Sequence, residues 1–199
     1  MTDIVFLDID GVLNSDSHWE MLPPDAAWFQ VFPENLEFFL RAMRHIRKSR
    51  DLRVVMSTSW RAAGKNKLER YFREAVPGLA EELFAMLHPD WRTELISGPR
   101  GGEIAEWLGR HADVGRYLCI DDEETYLPGQ PVLKTVAEYG FLRREREIME
   151  AFFLGGAPRP PHRAELAGKI AEALKAQERL IDSIAVRDAG GACDGEERK

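Results

Sequence analysis

Two cysteines in 199 residues exclude a disulfide framework and a thiolate metal site, because Cys119 and Cys193 share no ligand spacing. Cys119 falls in an apolar run, where a free thiol behaves as a small hydrophobe, and Cys193 falls in a Gly/Asp-rich tail. No apolar run approaches the roughly 18 residues that a membrane-spanning helix needs. The first residues, Met1-Thr2-Asp3-Ile4-Val5, carry neither a basic stretch nor a cleavage pattern. The expected setting is therefore a reducing cytoplasm, with no membrane partner. Positive charge is also short. A net charge of −7 and a pI near 5.4 argue against the basic stripe that a long nucleic-acid interface uses. A pocket for a single phosphate is untouched by that argument, because net charge does not report on one site. No internal repeat is present.

What is present is an ordinary globular composition, 44% hydrophobic and 31% charged, enough to build one core. Residues 3–8 form a short apolar run that ends in acid, the pattern of a strand buried on both faces. Similar runs occur at 52–56 and 116–120; 132–134 is a shorter candidate and Leu95-Ile96 a weak one. Between them, Pro33 opens a helix on which Leu36, Phe39, Leu40, Met43 and Ile46 recur at helical spacing, with Arg41, Arg44, Arg47 and Lys48 on the solvated side. Further helices are expected over 65–75, stopped by Pro77-Gly78, over 101–111 and over 141–154. Residues 11–33 fit no period and read as a structured loop carrying Trp19, Trp28 and Phe29. Strands alternating with helices predict right-handed βαβ units, hence an α/β fold with a three-layer, Rossmann-like parallel sheet. A Gly/Pro-rich stretch near 155–161 separates a domain of residues 1–157 from 158–199, read as a linker, an appended helix over 164–186 and a disordered tail. The tail carries eight basic and eight acidic residues, so the whole −7 belongs to residues 1–157.

Ligands of open parallel sheets bind beyond the carboxyl ends of the strands. Asp8 and Asp10 follow the first strand, Ser57, Thr58 and Ser59 the second, and Asp121 and Asp122 the strand at 116–120. An isolated Asp-x-Asp-Gly is often only a turn. Several carboxylates meeting in one cleft, however, repel one another unless a cation sits between them, and an all-oxygen set favours Mg²⁺. Asp8-Ile9-Asp10-Gly11 does not start an EF-hand loop, since Val12 and Leu13 interrupt the ligand ladder.

Phe6-Leu7-Asp8-Ile9-Asp10-Gly11-Val12-Leu13-Asn14 closely resembles the first motif of the haloacid dehalogenase (HAD) superfamily of phosphatases. Val54-Val55-Met56-Ser57-Thr58-Ser59-Trp60-Arg61 resembles the second motif, and Tyr117-Leu118-Cys119-Ile120-Asp121-Asp122 the acidic fourth. The resemblance spans roughly residues 3–154. Ser57-Thr58-Ser59-Trp60-Arg61, with Arg100-Gly101-Gly102-Glu103-Ile104-Ala105-Glu106-Trp107-Leu108, is most similar to the HAD domain of Swiss Army Knife RNA repair proteins.

The resemblance implies a role for each matching residue. Asp8 is the expected nucleophile, forming an aspartyl-phosphate. Asp10 is the expected general acid and then base, and its main-chain carbonyl a Mg²⁺ ligand. Thr58 is expected to bond a phosphoryl oxygen, with Ser57 and Ser59 as rivals. Asp121 and Asp122 are expected to hold the metal with Asp8, one of the pair directly. At the third motif, where relatives use Lys, this chain places Arg100, which can grip phosphate bidentately. Arg61 is a second phosphate-binding candidate; Lys65, Lys67 and Lys134 carry no such pattern, and His18 and His88 have no evident partner. The interval of about twenty residues between Gly11 and the first long helix is too short for a folded cap. The resemblance then implies an open site that takes a phosphorylated substrate able to cover it, such as a nucleotide or a nucleic-acid end, with Trp19, Trp28 and Phe29 as candidates to stack on a base. Two rivals are kept: a non-catalytic phosphate-binding module, and a receiver-like signalling domain, which also phosphorylates an Asp.

Overall fold

The computed structural model describes residues 1–26, 29–96, 98–123 and 125–155. The appended helix expected over 164–186, the tail after it, Cys193 and Trp28 lie outside the described residues. Five strands pair in parallel in the order β3-β2-β1-β4-β5, where β1 is Thr2–Leu7, β2 Leu52–Met56, β3 Leu87–Arg92, β4 Val114–Asp121 and β5 Val132–Lys134. The helices are α1 (Asp16–Trp19), α2 (Pro33–Ile46), α3 (Lys65–Ala75), α4 (Pro77–Ala85), α5 (Arg100–Arg110) and α6 (Arg143–Leu154), with a 3₁₀ turn at Ser59–Ala63.

The pleat sorts the strand residues onto two cores. Ile4 and Phe6 of β1, Val55 of β2 and Cys119 of β4 turn to one face and pack with Ile104 and Trp107 of α5. Val5 and Leu7, Val54 and Met56, and Leu118 and Ile120 turn to the other face, under α2, α3, α4 and α6. Both faces are thus covered, which gives three layers and explains why β1, β2 and β4 read as continuous apolar runs. Burial of Cys119 matches its reading as a small hydrophobe. Leu36, Phe39, Leu40, Met43 and Ile46 make the buried face of α2, while Arg41 and Arg44 reach Glu37 and Glu82 on its outside.

One expectation is corrected. The third strand is not Leu95-Ile96, whose side chains are 57% and 42% exposed. It is Leu87-His88-Pro89-Asp90-Trp91-Arg92, an edge strand beside β2. An edge strand bonds on one side only, so it tolerates Pro89 and needs no apolar run. Pro77 ends α3 as expected, but it also stands in the first turn of α4, where its missing N–H costs nothing. Among the described residues no helix is long and apolar enough to cross a membrane.

The sheet reverses direction of growth between β1 and β4: β2 follows β1 on one side, and β4 lies on the other. That is the switch point at which open α/β sheets bind ligands. The 3-2-1-4-5 order also differs from the 2-1-3-4-5 order of receiver-type folds, so the signalling alternative falls on topology.

Candidate active site

Asp8 leaves the end of β1 with its N–H bonded to Ile120 O at 3.0 Å, so the strand ladder to β4 fixes its backbone. Its side chain is buried. Oδ1 accepts from the Ile9 N–H at 2.8 Å and Oδ2 from Arg100 Nη2 at 3.2 Å. Asp121 ends β4 fully buried, accepting from the Glu123 N–H at 2.8 Å and the Tyr126 hydroxyl at 2.7 Å. Ligand oxygens of Asp8, Asp121 and Asp122 lie within 4.8 Å of one another. Burial is the chief reason that the Asp8 carboxyl is pushed up to about 7; the Asp121 charge adds to it, while Arg100, the Ile9 N–H and Thr58 pull the other way. Burial and the neighbouring Asp121 charge also raise Asp122. An all-carboxylate set under this mutual repulsion fits a hard divalent cation with oxygen preference.

Gly11 permits this crowding. Its φ of +63° suits glycine, and a Cβ there would stand 2.4 Å from Asp122 Cγ. Its carbonyl accepts from the Thr135 hydroxyl at 2.8 Å, and Thr135 N–H donates to Asp121 O at 3.0 Å, which ties the loop after β1 to the end of β4 and the segment after β5.

Arg100 is the first residue of α5 rather than a residue before it. Its Nε lies 3.7 Å from Asp121 Oδ2, and its Nη1 is buried with no hydrogen-bond partner among the described residues. Burial opposes the Arg100 charge, but Asp8 and Asp121 more than offset it and hold its pKa above the ordinary value. A donor kept charged, buried and unpaired beside Asp8 is suited to an incoming anion.

The three hydroxyls after β2 separate clearly. Thr58 is fully buried, caps the 3₁₀ turn through the Trp60 N–H at 3.3 Å, and is among the groups that pull the Asp8 carboxyl down. Ser57 is buried with its Oγ unpartnered among the described residues. Ser59 is exposed and lines a pocket of about 220 Å³ together with Arg100, Glu123 and Thr125.

Arg61 departs from its expected part as a free phosphate donor. It borders that pocket but is only 1% exposed. Its Nε donates to Thr93 O at 2.9 Å, Nη1 to Thr58 O, and Nη2 to the buried Glu103. Three donors of the guanidinium fork are thus spent on the backbone behind the site and on an acid of α5.

Asp10 is exposed, and its carboxylate takes a different pair of partners from Asp8: Asn14 Nδ2 donates to Oδ1 at 3.0 Å and Trp60 Nε1 to Oδ2 at 2.9 Å. Asn14, Trp60, Glu103, Tyr126 and Thr135 were assigned no part by sequence reasoning. Asn14, Trp60 and Glu103 stand inside the motifs quoted above, so position alone was a usable signal; Tyr126 and Thr135 carry none. Of the aromatics expected to stack on a base, Trp19 meets Phe32 edge-on at 6.2 Å and Phe29 stacks on Tyr71 at 3.9 Å. His18 bonds Ser15 at 2.6 Å and stacks on Phe32, and His88 packs against Trp107 and His111.

Acids gathered at the switch point of a 3-2-1-4-5 sheet place the protein among HAD-like α/β domains. Residues 4–145 match the family described as the HAD domain in Swiss Army Knife RNA repair proteins, and over that span, most of its length, the chain belongs to this family. Membership makes it a HAD-type phosphohydrolase in the general sense. No curated protein and no solved structure matches the chain.

Proposed function

We propose that residues 1–157 form a Mg²⁺-dependent phosphomonoester hydrolase that works through an aspartyl-phosphate on Asp8, with 158–199 an appended segment. The observation that carries this reading is the meeting of Asp8 with Asp121, Asp122 and the spare donor of Arg100 at one strand-end cleft. When bound among Asp8, Asp121 and Asp122, with the Asp10 carbonyl as a further ligand, the cation would neutralise the carboxylates and the phosphate they must face.

The chain's own groups do the rest. The Ile9 N–H and Arg100 orient the Asp8 carboxylate, and one of its oxygens attacks phosphorus. Arg100 Nη1, Thr58 and the unpaired Ser57 hydroxyl are the donors for phosphoryl oxygens, with Ser59 at the pocket wall. The bond from phosphorus to the leaving oxygen breaks as Asp10 gives that oxygen a proton; Asp10 then takes a proton from the water that cleaves the acyl phosphate, restoring Asp8. Arg61 acts at one remove, holding the Thr58 carbonyl and the 93 backbone in place.

The segments that could have made a cap are instead spent on the short α1 and on α3, α4 and β3 of the body. An open site suits a substrate that closes it, and a nucleic-acid end or nucleotide is the class we favour, in line with the family's description. The experiment is phosphate release from an aryl phosphate and from 3′- and 5′-phosphorylated oligonucleotides, with Mg²⁺ or EDTA, for wild type and Asp8→Asn. Metal-dependent release lost in Asp8→Asn is expected. Phosphate binding without any turnover by the folded, Mg²⁺-loaded protein would favour a non-catalytic binding module instead.

A further inference from the structure

Asp10 is a solvent-exposed aspartate, and such a side chain ordinarily moves among rotamers. Here both of its oxygens are held. The Trp60 indole N–H donates to Oδ2 at 2.9 Å and the Asn14 amide to Oδ1 at 3.0 Å. The holders are themselves fixed. Asn14 is buried, its Oδ1 accepts from the Gly11 N–H at 2.9 Å and its Nδ2 also reaches Gln30 O at 3.3 Å, so only one amide orientation satisfies every partner. Trp60 is buried to 5% exposure, and the Phe29 ring meets it edge-on at 4.7 Å while stacking on Tyr71 at 3.9 Å. This aromatic chain sets the plane of the indole, and the indole plane sets the direction of its single N–H.

The chemistry of the two holders matters as much as their geometry. An indole N–H and an amide NH₂ donate only; neither can accept a proton. Each carboxylate oxygen has a second lone-pair direction left over for a proton. A proton carried by Asp10 therefore finds no acceptor in Trp60 or in the Asn14 amide nitrogen, and is left to the group in front of it.

We propose that Trp60, backed by Phe29 and seconded by Asn14, is a positioning residue that aims the Asp10 carboxyl at the leaving-group oxygen. This rests on the phosphatase reading above. In the step concerned, Asp8 forms its bond to phosphorus, the bond to the leaving oxygen breaks, and the proton on Asp10 passes to that oxygen. Aim matters most where the leaving oxygen is basic and cannot depart without the proton. Where it leaves readily as an anion, aim matters little.

The test is kcat/KM with Mg²⁺, which reports phosphoryl transfer and not the later hydrolysis, across substituted phenyl phosphates, from nitrophenyl (a weakly basic leaving oxygen) to methoxyphenyl (a strongly basic one). Trp60→Phe keeps a ring against Phe29 and deletes the N–H. The expected result is a loss at least about tenfold larger on the methoxyphenyl than on the nitrophenyl substrate, a fraction of the 10²–10⁴ that general acid catalysis supplies, with KM little changed. Placed in an Asp10→Asn background, Trp60→Phe is expected to cost nothing further, because it acts through Asp10. Equal losses on both substrates, or full additivity with Asp10→Asn, overturn the proposal and leave Trp60 a packing residue. Should Trp60→Phe not fold, Phe29→Leu takes its place, with the same leaving-group-selective loss expected and an unselective or absent loss overturning the proposal. Asp8→Asn, run alongside, separates the two readings: release that survives it sinks the nucleophile assignment and this proposal together, whereas an inactive Asp8→Asn beside an unselective Trp60→Phe sinks this one alone.

Discussion

Arg61 and Glu103 are joined in a nearly dry ion pair, Arg61 on the 3₁₀ turn after β2 and Glu103 in the first turn of α5. The arginine also binds the Thr58 and Thr93 carbonyls, so a single side chain ties together the turn after β2, the chain after β3 and the helix that starts at Arg100. Burial pulls the Arg61 pKa down while Glu103 holds it up. A buried pair is a poor source of net stability, but removing one partner strands the other charge. Glu103→Ala is expected to cost about 3–5 kcal/mol in urea denaturation, the usual penalty for breaking a buried pair, against about 0.5 kcal/mol or less for Glu106→Ala on the exposed face of the same helix. The sequence showed Arg61 as the last residue of a motif and a candidate to bind phosphate. A surface phosphate ligand and a buried strut look identical at that level, because burial depends on what packs over the residue.

At the scale of the element, α5 is the piece on which the site turns, because its first residue is Arg100. Gly101 lets that turn come close. A Cβ there would lie 2.4 Å from the Leu127 backbone nitrogen and 2.4 Å from Gln130 Oε1. The present fit is held by Gly101 N–H to Thr125 O at 2.9 Å and Gln130 Nε2 to Gly101 O at 2.9 Å. Gly102, one position on, faces open space, with only Ile96 Cδ1 at 3.9 Å. Gly101→Ala is therefore expected to push the helix start off the 126–130 loop, costing about 1–3 kcal/mol as overpacking and weakening inorganic phosphate binding with it. Gly102→Ala is expected to be neutral or to stabilise by up to about 1 kcal/mol, the helix-propensity gain of Ala over Gly. Thermal melts and phosphate titration of the two variants side by side check this. The helix itself was legible from Ile104, Trp107 and Leu108; the reason for glycine at 101 was not, since it lies in a loop some 25 residues away.

For the whole molecule, the crowding of acids is a stability cost that pH and cation control. Asp8 is raised to about 7 by burial and by Asp121, and Asp122 is raised as well. In the unfolded chain an Asp ionises near pH 4. Between pH 4 and 7 the folded, cation-free protein thus binds more protons than the unfolded one, and its stability falls as pH rises through that window. The contribution is fully present below pH 4 and absent above about 7. Melting in EDTA is expected to show a lower midpoint at pH 7.5 than at pH 5, and Asp8→Asn to flatten the difference. Added Mg²⁺ is expected to raise the midpoint more at pH 7.5 than at pH 5, because cation and proton compete for the same oxygens. A cation effect independent of pH would speak against the three-carboxylate site.

The order of elements, the parallel sheet and the acids at strand ends were determined by the sequence itself. Strands buried on both faces must be continuous apolar runs, and β1, β2 and β4 are; helices with one buried side must repeat at their own period, and α2 and α5 do. Those patterns are local, so they survive in the order of residues. Tertiary structure alone decided the edge strand at 87–92, which has no apolar pattern because only one side of it is paired. It also decided the partners within the site. Asp10 meets Trp60 across 50 positions, Arg61 meets Glu103 across 42, and Asp8 meets Arg100 across 92. No local periodicity encodes such pairs. They arise when parallel crossovers bring the ends of separate strands to one edge of the sheet, and only there does an aspartate acquire its burial, its neighbours and its raised affinity for a proton.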